Sequence, residues 1–142
     1  MISEFRGTTR WLSNFWMVDI FYEGNLYPST EHAYQAMKCK RMEDRIYIGT
    51  LKRPGEAKKA GMEVELREDW SDVRLEIMED ITRLKFRDPE LKAMLLATGD
   101  EELVEGNTWN DTFWGVCKGV GENNLGKIIM KIREEIKNEN KH

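Results

Sequence analysis

One stretch, YPSTEHAYQAMK from Tyr27 to Lys38, constrains the fold most because it changes from extended to helical at a defined residue. Tyr27 precedes Pro28, and a residue before proline is pushed out of the helical region. Ser29 is a typical N-cap, since its hydroxyl accepts a hydrogen bond from a free backbone N–H of the first turn. The sequence therefore predicts a helix that begins at Thr30.

This helix would gather reactive side chains on one face. Glu31 and Lys38 lie within roughly 20° of the same angular position and about 10 Å apart along the axis. Tyr34 and Gln35 lie between them, so a carboxylate, a phenol, a carboxamide and an amine share one side. Taken alone, such a face is typical of a solvated surface. The small residues on the opposite face favour a helix held close to a neighbour in a crowded interior.

Length and composition indicate a single domain over residues 1–142, with a polar, frayed tail from Lys137 to His142. The longest apolar runs are too short for a membrane span, and the N-terminus lacks the apolar core of a signal peptide. We therefore expect a cytoplasmic protein that does not contact membranes. Cys39 and Cys117 fit free thiols in a reducing compartment. The two histidines, His32 and His142, exclude a histidine-rich metal site, and we expect no metal and no cofactor. We expect His32 to pack or hydrogen-bond rather than act as a base.

The net charge of −4 argues against strong non-specific attraction to nucleic acid. A local basic cluster in the second quarter of the chain is suited to a phosphate-bearing ligand, or is an ordinary solvated charge run. Its members are Lys38, Lys40, Arg41, Lys52, Arg53, Lys58 and Lys59.

Periodicity and turn residues predict a mainly helical α+β domain with a small N-terminal β-hairpin. The hairpin spans 17–28, with a turn at 23–25, and follows a short strand and loop over 5–15. Predicted helices start at Thr30 (ending near Arg41), Met42, Pro54 (closed by Gly61), Ser71 as a cap, Asp88-Pro89 (ended by Gly99) and Asn123 or Asn124. Residues 103–106 are a candidate edge strand.

The segment NTWNDTFWGVCKGVGENN, from Asn107 to Asn124, is unusual for its tryptophans and turn-forming residues. A loop of this length in a compact domain generally has a function. Trp109 and Trp114 flank Asp111, so a carboxylate is expected beside flat rings. Rings stack on bases, and a carboxylate stabilises the positive charge that grows at sugar C1 as a glycosidic bond breaks. The alternative is that one or both tryptophans only anchor the loop.

Several segments in order resemble the NADAR family, also called YbiA-like, from Phe5 to Ile136. These are LSNF at 12–15, YPSTEHAYQAMK at 27–38, LLATGDEELVE at 95–105 and NDTFWGVCKGVGENNLGKIIMKIREE at 110–135. The resemblance implies an N-glycosidase acting on ribosylated nitrogen compounds. Some members remove ADP-ribose from guanine in nucleic acid, and others are associated with phosphoribosylamino-pyrimidine intermediates of riboflavin synthesis.

Carried over by position, the resemblance implies a pocket that includes Asn14, Glu31, Lys38, Asp111, Trp114 and Asn123. Tyr34, Gln35 and Trp109 are added as substrate-binding residues from the helix face and the loop. In one mechanism Lys38 is a nucleophile that forms a Schiff base while Glu31 or Asp111 moves protons. In the other, a carboxylate stabilises an oxocarbenium-like state and activates water while Lys38 binds phosphate.

The first expectation for the substrate is ADP-ribosylated guanine in DNA or RNA. A phosphoribosylamino-pyrimidine is the small-molecule alternative, and a non-catalytic module that binds ADP-ribose or NAD is the alternative of another class. The sequence leaves the choice of carboxylate and the oligomeric state open.

Overall fold

The computed structural model describes residues 1–140, whose regular elements are helices and short strands. The helices are a 3₁₀ helix at Gly7–Leu12 and α1 (Thr30–Met37), α2 (Met42–Thr50), α3 (Pro54–Gly61), α4 (Trp70–Lys85), α5 (Pro89–Ala97) and α6 (Asn124–Glu139). The strands are β1 (Met17–Tyr22), β2 (Asn25–Ser29), β3 (Gly106–Asn107) and β4 (Val116–Cys117). The predicted α+β fold, mainly helical with an N-terminal hairpin, is confirmed. No helix within 1–140 is long and apolar enough to cross a membrane.

The chain divides into two compact units. The central unit is Asn14–Lys85, and the terminal unit combines Met1–Ser13 with the chain from Phe86 onward. The central unit therefore contains β1, β2 and α1 to α4, and the terminal unit contains the remaining elements. The expectation of a single domain stays a prediction.

In the central unit, β1 and β2 pair in antiparallel fashion through a tight turn. Glu23 and Gly24 both have positive φ, 49° and 83°, as a two-residue hairpin turn with the right-handed strand twist requires. Ile20 faces inward and is buried. The Ser29 hydroxyl accepts a hydrogen bond from the backbone N–H of His32 at 3.1 Å, so the predicted cap and helix start are confirmed.

The end of α1 lies four residues before the predicted end near Arg41. After the helix the backbone becomes extended, because Cys39 forms an antiparallel bridge with Leu66. The carbonyl of Lys38 accepts a hydrogen bond from Arg67 N at 2.9 Å. Pairing with a distant segment therefore ends the helix, and local sequence does not reveal it.

The central helix α4 begins at Trp70, so the prediction that Ser71 caps it is wrong. The carbonyl of Asp69 accepts the N–H groups of the first turn, and Ser71 is an exposed residue inside that turn. An apolar stripe runs along α4, with Trp70, Ile77 and Ile81 buried.

In the terminal unit, the strand predicted within residues 5–15 is a 3₁₀ helix. Gly7, the first residue of this helix, has a φ of +57°. The Thr9 hydroxyl donates to the carbonyls of Glu4 and Arg6, with oxygen–oxygen distances of 2.8 and 2.9 Å. This local hydrogen bonding competes with an extended conformation.

The last two long helices form as predicted. The Asp88 carboxylate accepts from Leu91 N at 3.0 Å, and Gly99 follows α5 with a φ of +63°. The apolar stripe of α6 is buried at Leu125, Ile128, Ile129, Ile132 and Ile136.

Two predictions at the ends of this unit differ from the structure. The helix α6 continues to Glu139, and Lys137 Nζ donates to the carbonyl of Gly99 at 2.9 Å, so the chain is not frayed from Lys137. Residues 141 and 142 of the predicted tail lie outside the described range. The edge strand expected at 103–106 starts only at Gly106, where β3 pairs in parallel with β4, and Leu103 forms a separate bridge with Ile2.

Candidate functional site

The face of α1 that carries the predicted reactive groups is buried. Glu31 is 7% exposed, Gln35 5% and Tyr34 7%, while Lys38 is half-buried at the C-terminal end of the helix. A solvated face is thereby excluded, and the alternative of a crowded interior is correct. Burying a carboxylate is costly unless it has partners, so this face requires an explanation beyond packing.

Lys38 is an amine in a partly apolar setting. Its Nζ lies 5.9 Å from the centre of the Tyr34 ring, which itself contacts Trp70 at 5.0 Å between ring centres. Burial lowers the pKa of Lys38, and the positive charge of Lys58 lowers it further, while the negative charge of Glu31 raises it. A lowered pKa increases the fraction of neutral amine, the form that attacks a carbon atom.

The carboxylate of Glu31 is held by the next turn of the helix. Gln35 Nε2 donates to Glu31 Oε1 at 2.8 Å. The other amide atom, Gln35 Oε1, is buried without a hydrogen-bond partner among the described residues. An unsatisfied buried acceptor costs about 1–3 kcal/mol, so the amide is committed to Glu31 at the expense of its own oxygen.

Asn14 joins this cluster through its backbone. Its carbonyl accepts the first-turn N–H of Glu31 at 3.0 Å, and its Nδ2 lies 3.7 Å from Met78 Sδ. Asn14 is buried. It therefore positions the start of α1, and its predicted contact with substrate stays a prediction.

His32 and Cys39, which flank the reactive face of α1, both have hydrogen-bond partners. His32 Nδ1 lies 2.6 Å from the Ser29 hydroxyl, and Nε2 lies 2.8 Å from the Leu51 carbonyl, to which it donates. Both ring nitrogens have hydrogen-bond partners, so the expected hydrogen-bonding role is confirmed, and burial lowers the pKa of His32. Burial also raises the pKa of the Cys39 thiol to about 11.

The basic cluster of the second quarter is partly neutralised. Lys40 and Arg41 both form exposed ion pairs with Glu65, at 3.7 and 3.2 Å. Lys58 is half-buried, and Lys52, Arg53 and Lys59 are exposed.

In the terminal unit, Asp111 folds the loop around itself. Its Oδ1 accepts the backbone N–H groups of Phe113 and Trp114, at 3.1 and 2.9 Å. The side chain of Asn107 holds the Asp111 backbone by accepting from its N–H at 3.0 Å and donating to its carbonyl at 2.8 Å. One carboxylate oxygen is thus used for the fold, and Oδ2 makes no hydrogen bond within the described residues.

The two tryptophans of the loop differ in exposure. Trp109 is 48% exposed, with the Arg6 guanidinium 5.1 Å from its ring centre. Trp114 is half-buried and meets Phe113 edge-on at 4.8 Å. Arg6 and Lys118 also line an open groove of about 360 Å³ in this unit. Trp109 therefore has an accessible ring surface beside positive charge, and the predicted substrate contacts of Trp109 and Trp114 stay predictions.

Asn123 has a structural role. Its Oδ1 accepts from Glu105 N at 3.0 Å and its Nδ2 donates to the Leu103 carbonyl at 2.9 Å. Its backbone is left-handed, with φ 53°, at the start of α6. The expected position of Asn123 at the cap of α6 is confirmed. Both of its amide atoms already form hydrogen bonds with the backbone, and its predicted contact with substrate stays a prediction.

The predicted residues therefore fall into two sets. The central unit holds Asn14, Glu31, Tyr34, Gln35 and Lys38, and the terminal unit holds Trp109, Asp111, Trp114 and Asn123. Sequence reasoning did not find the contribution of Trp70 beside Tyr34, since its position in the apolar stripe of α4 indicates only a core residue. The predicted end of the third helix at Gly61 is confirmed, since Gly61 is the last residue of α3, although its φ is not positive.

Comparison with known proteins places this geometry in a family. The model of the NADAR domain matches residues 4–137. The chain is 37% identical over 128 residues to the N-glycosidase YbiA of Escherichia coli, covering 87% of this chain and 79% of the relative. It is 38% identical over 133 residues to an N-glycosidase of Nostoc punctiforme, covering 89% and 85%.

It is also 39% identical over 129 residues to a riboflavin biosynthesis protein of Vibrio vulnificus, covering 88% of this chain and 35% of the relative. This chain thus spans about a third of the length of that relative. The NMR structure of E. coli YbiA matches with a TM-score of 0.87 and 34% identity, over 99% of this chain and 87% of the other.

Proposed function

Since the chain belongs to the NADAR domain family, we propose that it is an N-glycosidase that hydrolyses the bond between ribose C1 and the exocyclic amine of an ADP-ribosylated guanine in nucleic acid. The observation that carries the proposal is Lys38 beside Glu31 on a buried helix face. Burial lowers the pKa of this lysine, and Glu31 is held in place by Gln35. A partly buried amine is suited to attack a sugar carbon bonded to nitrogen, and a fixed carboxylate is suited to transfer protons during that attack.

The proposed reaction proceeds through an imine. The ribosylamine opens, breaking the bond from C1 to the ring oxygen and giving a C1–nitrogen double bond to the departing base. The neutral amine of Lys38 adds to C1, protons move through Glu31, and guanine leaves as its free amine. Water then adds to the lysine imine, which releases the sugar as an aldehyde and restores Lys38.

A rival mechanism requires no covalent lysine. In that version a carboxylate stabilises positive charge at C1 and activates water, while Lys38 binds phosphate. Replacing Lys38 with arginine separates the two mechanisms, because arginine keeps the charge but forms no imine. The covalent version expects Lys38→Arg to be inactive and the rival expects most activity to survive. Lys59→Arg, an exposed lysine of α3, is the matched control and is expected to be active.

Trapping tests the intermediate directly. Sodium borohydride added during turnover reduces an imine to a stable amine, so mass spectrometry is expected to find the sugar on the tryptic peptide that contains Lys38. An active preparation with no adduct on Lys38 would exclude the Schiff-base mechanism.

The riboflavin name of the Vibrio relative favours a second candidate substrate, a phosphoribosylamino-pyrimidine. Both substrates contain ribose C1 bonded to an exocyclic nitrogen, so the same groups would act on either. Incubating the protein with an ADP-ribosylated guanine oligonucleotide and, separately, with the pyrimidine distinguishes them by release of ADP-ribose or ribose 5-phosphate. Release of ribose 5-phosphate alone replaces the first candidate with the second. Binding of ADP-ribose with no release from either substrate would contradict the proposed activity.

A further inference from the structure

Gly61, at the end of α3, lies directly against the amide of Gln35 on α1. A Cβ atom on Gly61 would lie 1.9 Å from Gln35 Oε1 and 2.7 Å from Gln35 Cδ. Both residues are buried. Since the φ of Gly61 is not positive, its backbone is open to any residue, and the Gln35 amide is what excludes a side chain.

The orientation of this amide is set by Glu31. Gln35 Nε2 donates to Glu31 Oε1, so Gln35 Oε1 is directed at Gly61 and is buried without a partner in the described part of the chain. Turning the amide over would place its oxygen against the carboxylate, which repels it. The arrangement leaves a buried acceptor unsatisfied in order to keep a donor on Glu31.

We propose that Gly61 is a positioning residue for the Glu31–Lys38 pair, because its missing side chain leaves the space in which Gln35 holds the Glu31 carboxylate. The inference rests on the proposed function, in which Glu31 and Lys38 are the reacting groups. In a Gly61→Ala variant the new methyl group displaces the end of the Gln35 side chain. That end is flexible, so the fold is kept while the hydrogen bond to Glu31 is lost.

A double-mutant cycle tests the connection. Gly61→Ala and Gln35→Ala are each expected to lower kcat roughly tenfold or more, the loss expected for a hydrogen bond to a charged group. KM is expected to change less. Once Gln35 is already alanine, adding Gly61→Ala is expected to have no further effect, because the displaced amide is gone. Independent, additive losses would overturn the proposal.

Gly55 supplies the matched control. It belongs to the same helix, and a Cβ added there meets no atom within 4 Å. Gly55→Ala is therefore expected to keep the kcat and KM of the unmodified sequence. A loss equal to that of Gly61→Ala would assign the effect to helix α3 as a whole and overturn the role of Gly61.

The pKa of Lys38 can be measured without substrate, and this measurement is a second test of the proposal. The groups that act on the Lys38 amine are Glu31 and Cys39, which raise its pKa, and Lys58, which lowers it. The lysines are dimethylated with ¹³C-formaldehyde and titrated by NMR, and the Lys38 signal is identified by its loss in Lys38→Arg.

Gly61→Ala is expected to lower the Lys38 pKa, in the same direction as Glu31→Gln, while Gly55→Ala leaves it unchanged. An unchanged Lys38 pKa in Gly61→Ala would overturn the proposal. If neither candidate substrate is cleaved, the proposed function fails while this titration still decides whether Gly61 positions Glu31.

Discussion

The side chain of Asn123 is expected to contribute more to stability than to substrate binding. Asn123→Ala removes hydrogen bonds to Glu105 N and the Leu103 carbonyl, and it leaves both backbone groups without that partner. The loss of this pair of bonds costs about 2–3 kcal/mol. Alanine also tolerates the left-handed backbone less well, which adds about 1 kcal/mol. The expected total is about 3–4 kcal/mol.

Urea unfolding followed by tryptophan fluorescence measures this loss. Asn123→Gly separates the contributions, because glycine accepts a φ of 53° and loses only the side-chain hydrogen bonds, for about 2–3 kcal/mol. The neighbouring Asn124 is the matched control, since its buried Nδ2 has no hydrogen-bond partner in the described residues. Asn124→Ala is expected to change the unfolding free energy by less than about 0.5 kcal/mol.

The structural role would be refuted by a specific pair of results. If Asn123→Ala unfolds with a free energy within about 1 kcal/mol of the unmodified chain but loses N-glycosidase activity, the amide acts on substrate rather than on the backbone. This pair of results is unexpected, because the Asn123 amide is tightly packed against the backbone. A Cβ atom added to Gly126 would lie 2.5 Å from Asn123 Nδ2 and 2.2 Å from the Leu103 carbonyl oxygen.

Three further changes test the surroundings of the site. Burial lowers the pKa of His32, so below the ordinary histidine pKa the unfolded chain binds a proton that the folded chain does not bind. The free energy of unfolding is therefore expected to fall as the pH drops through that range. Urea unfolding at several pH values should show a smaller fall in His32→Gln. Asp111→Asn keeps the Oδ1 acceptor, so stability is expected to change by about 1 kcal/mol at most, while activity falls roughly a hundredfold if the charge acts at C1; unchanged kcat would exclude that role. Trp109→Ala removes an exposed ring, so binding of a base-containing substrate is expected to weaken by about 1–3 kcal/mol with little change in stability; equal KM values would contradict stacking.

The parts of the fold that were predictable depend on short-range chemistry. Ser29 and Asp88 cap their helices through side-chain oxygens, and Gly99 follows α5 with positive φ, so each residue carries its own signal. The end of α1 depends on Leu66, far along the chain, and could not be read from nearby residues. The 3₁₀ helix was missed because Thr9 bonds to two carbonyls that a pattern of apolar residues does not represent.

The sequence supplies the candidate site residues, whose roles stay predictions, but it does not supply their arrangement. The spacing of Glu31 and Lys38 indicated a shared helix face, and the structure adds that this face is buried. The i,i+4 spacing of Glu31 and Gln35 on one helix allows their hydrogen bond. No local pattern indicates that Gly61 makes room for the Gln35 amide, because that depends on the packing of α3 against α1.

The thiol of Cys39 has a practical consequence for chemical labelling. It follows Lys38 in the chain, is fully buried, and donates to the Gln35 carbonyl with a sulfur–oxygen distance of 3.4 Å. Because burial raises its pKa to about 11, it stays a neutral thiol under ordinary conditions and reacts slowly with alkylating agents. An amine-selective reagent that reaches Lys38 is therefore not consumed by the neighbouring thiol of Cys39.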